Sequence, residues 1–141
     1  MKHLTNIKKL KLKYTGKNVL DKDLNKIYKR CIDDYKRLIK KKKLKISDII
    51  ILGNSLYNIG LIHDSREEYN KAIYYYNFSA RFYNYKAIIN LLFHFDKDDN
   101  TIMFTTYLKK LKNIYTKYKQ YMEPKYIEKC KNIIKKYQYL L

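Results

Sequence analysis

Tryptophan is missing from this sequence, and several other residues are nearly so: it has one proline, three glycines, three alanines and one valine. With glycine only at Gly16, Gly53 and Gly60, no glycine-rich loop is available to wrap a phosphate. Histidine is confined to His3, His63 and His94, with no close metal-binding spacing among them. Cys31 and Cys130 lie far apart, so each reads as a buried thiol on an apolar helix face, with a disulfide as the other reading. Asp96, Asp98 and Asp99 lack the glycine and the final glutamate of a calcium loop. His63 and Asp64 are sequence neighbours, and adjacent helical side chains do not face each other. No serine sits in a nucleophile elbow. An enzyme is therefore not expected, nor a cofactor or a metal. No stretch approaches the roughly 18 apolar residues of a membrane span, and MKHLTNIKKLKLKYTGK at the start lacks a signal peptide's apolar region and cleavage site. The expectation is an intracellular protein, in cytoplasm or nucleus.

What is abundant is lysine, tyrosine, isoleucine and asparagine. Lysine outnumbers arginine 28 to 4, and there are 17 tyrosines. An A/T-rich coding sequence, as in some viruses and parasites, would favour the same residues. The net charge of +19 is unevenly placed: residues 1–47 carry +13, residues 48–105 carry −2 and residues 106–141 carry +8. Basic ends flanking a nearly neutral middle attract nucleic acid, anionic lipid or an acidic protein without choosing among them.

The 141 residues suffice for one domain with its own core. Residues 1–18 read as a basic arm, and 19–141 as a single all-α domain of about six helices in antiparallel hairpins. A first helix is predicted from Asp21 to Lys43, with Leu24, Ile27, Tyr28, Cys31, Tyr35, Leu38 and Ile39 buried and Lys40 to Lys43 as its last turn. A second runs from a Ser47 cap to His63, and a third from a Ser65/Glu68 capping box to about Phe82. Tyr85–Phe95 gives a fourth, DKDDN a loop, Thr101–Tyr121 a fifth, and Pro124 opens a sixth. In YNKAIYYYNFSARF, Tyr69 and Tyr76 fall on the core side, and Tyr74, Tyr75 and Phe78 point elsewhere.

Over residues 53–86, Leu56, Ile59, Gly60, Tyr69, Ala72 and Tyr76 fall at the packing positions of a tetratricopeptide repeat, and DSREEYNKAIYYYNFSA also resembles a Sel1-like repeat. The resemblance covers about one repeat. It implies that Gly60 and Ala72 face each other across a hairpin, with Tyr76 filling space toward the next hairpin. It also implies that a peptide or protein would meet Asn54, Tyr57, Asn58, Leu61 and Asp64; packing of these five against the first helix is the other reading.

The first functional reading is thus a non-enzymatic module for a protein partner or for copies of itself. The alternative is an accessory protein that holds DNA or RNA through its backbone, independently of sequence. Lys8, Lys9, Lys11 and Lys13 of the arm would serve it, with Lys40, Lys41, Lys42 and Lys43 and with Lys109, Lys110 and Lys112.

Overall fold

A computed structural model describes the chain from residue 17 to residue 141, and its side chains from Asn25 onward. The basic arm expected over 1–18 lies almost wholly outside the described residues. These form six helices: α1 (Lys17–Ile39), α2 (Ile46–Ser65), α3 (Tyr69–Ala80), α4 (Tyr85–Lys97), α5 (Thr101–Tyr118) and α6 (Pro124–Lys136). Short 3-10 turns follow at Lys119–Tyr121 and Gln138–Leu140, and no described residue is in a strand. The all-α expectation is met. The chain divides after Asn84 into two compact units.

The scarcity of glycine shapes how these helices stop. A helix often ends on a residue in the left-handed region, where glycine is the least strained choice. Here Glu67, Tyr83 and Asp99 occupy that region, with φ of 60°, 61° and 53°. After each, the next amide reaches back five residues: Glu68 to the His63 carbonyl (2.9 Å), Asn84 to Ser79 (3.4 Å) and Asn100 to Phe95 (2.8 Å). The same device is used three times, with side chains for which the conformation costs about 1–2 kcal/mol.

Several helix ends differ from the sequence expectation. α1 stops at Ile39, so Lys40 to Lys43 follow it rather than forming its last turn. Four adjacent ammonium groups repel one another on a helix, and the Lys41 Nζ instead reaches the Asp48 carboxylate at 3.1 Å. Asp48, not Ser47, caps α2: its Oδ2 accepts the Lys45 amide hydrogen at 3.1 Å. Ser65 does not cap α3. It closes α2, donating its hydroxyl to the Ile62 carbonyl at 2.7 Å. Asn100 caps α5 by accepting the Met103 amide hydrogen at 3.2 Å, and Pro124 does open α6.

In the first unit α2 packs most extensively on α3, and next on α1. Gly60 permits the α2–α3 approach, and Gly53 the approach of the turn that follows α3. A Cβ at Gly60 would lie 2.6 Å from two Tyr76 ring carbons and 3.4 Å from the Ala72 carbonyl oxygen. Two turns earlier, a Cβ at Gly53 would meet the Phe82 carbonyl oxygen and Asn84 Cβ at 3.3 Å. The Ser79 hydroxyl donates to the Gly53 carbonyl at 2.6 Å. Tyr76, fully buried, lies over Gly60 within the hairpin, and its hydroxyl donates to Asp64 at 2.8 Å. Tyr69 and Ile39 depart from the predicted core at 42% and 45% exposure, because each is the terminal residue of its helix. Cys31 is buried on α1, as expected.

In the second unit α4 packs on α5 and α5 on α6. Phe104 meets Tyr137 edge to face at 4.8 Å, and Tyr85 meets Tyr126 at 5.4 Å. Lys86, only 2% exposed, sits 3.5 Å from the Glu123 carboxylate and over the rings of Tyr85 and Tyr126. The Tyr85 hydroxyl accepts the Glu123 amide hydrogen at 3.1 Å, which ties the start of α4 to the start of α6.

Gly60→Ala should destabilise the protein. Displacing a fully buried ring costs roughly 1–3 kcal/mol, and alanine's better helix propensity returns only about 1 kcal/mol. Urea denaturation should show a lower midpoint with an unchanged slope.

Candidate functional site

The five α2 residues that the repeat resemblance assigns to a partner make contacts inside the first unit. Asn54 Oδ1 accepts from the Asn84 side chain at 3.0 Å, and Asp64 accepts from Tyr76. Tyr57 is buried, its ring 6.0 Å from that of Tyr76. Asn58 is buried, and Leu61 packs against Ile62 beside Ile27 and Tyr28. Asn54, Leu61 and Asp64 keep partial exposure, and none of the five is fully exposed.

Among the described residues, the lysines assigned to a nucleic acid lie in two groups. Lys8, Lys9, Lys11 and Lys13 fall outside the described residues. Lys40, Lys41, Lys42 and Lys43 are exposed in the first unit. Lys109 and Lys112 are exposed on α5 of the second unit, with Lys110 half-buried beside them. Residues 101–136 carry ten lysines and only two acids, Glu123 and Glu128, of which Glu123 is paired with Lys86. Nine of those ten lysines are exposed. Several stand over tyrosine rings: Lys119 over Tyr115 at 5.1 Å, Lys125 and Lys129 over Tyr126 at 5.3 and 5.9 Å, and Lys136 over Tyr137 at 5.2 Å.

A third arrangement is an open cleft of about 370 Å³ in the first unit, lined by Tyr28, His63, Asn70, Lys71, Tyr74 and Tyr75. His63 is its most buried member. Its ring stacks on Tyr75 at 5.3 Å and 7°, and meets Tyr28 edge-on at 5.5 Å. Its Nδ1 lies 3.2 Å from Glu68 Oε1. A carboxylate can only accept, so Nδ1 carries the hydrogen and Nε2 of the neutral ring is left as an acceptor. Nε2 is buried with no hydrogen-bond partner among the described residues. A hydrogen bond to Tyr28, then burial, push the Tyr75 phenol up to about 12. Helical spacing alone places Asn70, Lys71, Tyr74 and Tyr75 on one side of α3, a signal the sequence offered. The wall from Tyr28 on α1 and the floor from His63 on α2 carry no such signal.

Among the described residues, no three His, Cys, Asp or Glu side chains gather closely enough to hold a metal ion. Burial, with Asp34 adding to it, pushes the Cys31 thiol up to about 12, and burial does the same at Cys130. Neither is a ready thiolate nucleophile. No described helix is long and apolar enough to cross a membrane. Comparison with protein-family models, curated proteins and solved structures gave no match.

The His63 hydrogen bond, reinforced by the Lys71 ammonium, holds the Glu68 carboxyl below its ordinary range. A carboxylate whose pKa is depressed by folding adds stability above the unfolded pKa and loses it as pH falls through the folded one. Thermal midpoints followed from about pH 6 down to about pH 3 should therefore converge for wild type and Glu68→Gln, with the wild-type advantage confined to the upper end.

Proposed function

We propose that this chain is a non-enzymatic binding module whose ligand is a nucleic-acid strand held through its phosphates by the lysines of α5 and α6. The observation that carries this reading is the near absence of acids on a surface with nine exposed lysines. Lysine is a point charge without arginine's fixed fork, so it suits backbone contact and not base reading. Tyrosine rings beneath the ammonium groups add flat apolar surface on which bases can stack. The nucleic-acid reading ranks ahead of the partner groove on α2, because Asn54, Tyr57, Leu61 and Asp64 already contact other residues of their own unit. The tetratricopeptide-like character of the α2–α3 hairpin remains part of the proposal, supported by the close approach at Gly60 and Ala72.

Anisotropy of a labelled single-stranded oligonucleotide should rise on binding at low salt, with log K falling linearly in log salt. Lys112→Gln, Lys129→Gln and Lys136→Gln should each lower affinity for every sequence tested and flatten the slope by about 0.7 for each phosphate no longer neutralised. Equal binding by the triple variant would refute the assignment.

A protein partner or a second copy is the other reading, favoured by Phe93 and Ile102, which are 73% and 80% exposed. Apolar side chains this exposed suit burial in an interface. Sedimentation of the wild type should then show association that Phe93→Asp or Ile102→Asp abolishes.

A further inference from the structure

We infer that the cleft between α1 and α3 binds a nucleotide, with adenine as the preferred base; the choice of ligand rests on the nucleic-acid reading above. The cleft carries four features of such a site. Tyr74, 60% exposed, offers a ring face for stacking while its neighbour Tyr75 is already stacked on His63. The Asn70 carboxamide is exposed at the same wall, and a carboxamide pairs with the N6/N7 edge of adenine as donor and acceptor together. The Lys71 ammonium, 65% exposed on its side chain, is placed for a phosphate.

The fourth feature sets this cleft apart from a chance hollow. His63, only 7% exposed, has an Nε2 acceptor with no partner among the described residues, and its tautomer is fixed by Glu68. A buried polar atom without a partner carries a desolvation penalty, and an amino group of a base reaching the cleft floor would relieve it. The Lys71 ammonium lies 3.4 Å from Glu68 Oε2, so a phosphate would share it with that carboxylate. The charge, the aromatic walls and the amide suit an unpaired nucleotide better than an apolar small molecule.

The test follows the His63 ring signals by NMR in the full chain while adenosine 5′-monophosphate is added. Saturable shifts of the His63 and Tyr74 signals are expected. Tyr74→Ala, a change at an exposed position, should weaken binding about tenfold. Ribose 5-phosphate producing the same shifts would overturn the proposal, since the phosphate alone would then suffice. An oligoadenylate that shifts His63 when the mononucleotide does not would identify the ligand as a nucleotide within a strand, and supports the site. If an abasic strand binds as tightly as oligoadenylate and neither moves His63, the cleft is not a base site. Salt-sensitive binding of that abasic strand would still leave the role of the α5 and α6 lysines standing.

Discussion

Gly60 carries no side chain because the ring of Tyr76 stands where one would be. That exclusion brings the backbones of α2 and α3 together and buries Tyr76 completely, while its hydroxyl reaches Asp64 on the partner helix. Two turns away Gly53 leaves room for the turn that follows α3, and the Ser79 hydroxyl donates to the Gly53 carbonyl. The hairpin is thus held by apolar packing in its middle and by hydrogen bonds from both buried hydroxyls. With α3 fixed on α2, Asn70, Lys71, Tyr74 and Tyr75 of α3 stand beside His63 of α2 and line the cleft with it.

The second unit is held by different chemistry. Its first helix carries a buried ammonium, Lys86, which faces the Glu123 carboxylate and two tyrosine rings. A buried charge with a carboxylate partner adds little net stability, but breaking the pair is costly, so it fixes which helix ends meet. The lysines further along α5 and α6 stand mostly in solvent, where their charge is available to a polyanion. One residue type therefore serves two purposes here. Burial beside an acid makes it architectural, and exposure makes it a binding surface.

Much of the fold was legible because its signals are local. The three- and four-residue recurrence of Leu, Ile and Tyr placed six helices, and Pro124 marked where α6 opens. The boundaries were less legible where a rule of thumb met a competitor. Lys40 to Lys43 satisfied the helix-dipole argument, yet their mutual repulsion and the Lys41–Asp48 pair end α1 before them. Ser65 and Glu68 matched a capping box in spacing, but the Ser65 hydroxyl turned back to Ile62 and the Glu68 carboxylate turned to His63.

By itself the sequence determined that the described residues are helical, which depends on periodicity within one or two turns. The meeting of Gly60 and Ala72 was an expectation drawn from the resemblance to a helical repeat, not from periodicity. It also determined the charge of each segment, which is a matter of counting. Only the tertiary structure decided which polar groups are enclosed and with whom they pair. Tyr76 with Asp64, Lys86 with Glu123 and His63 between Tyr28 and Tyr75 join residues from different helices or their ends. Their geometry depends on how whole helices rotate against one another, and no local pattern along the chain encodes that rotation.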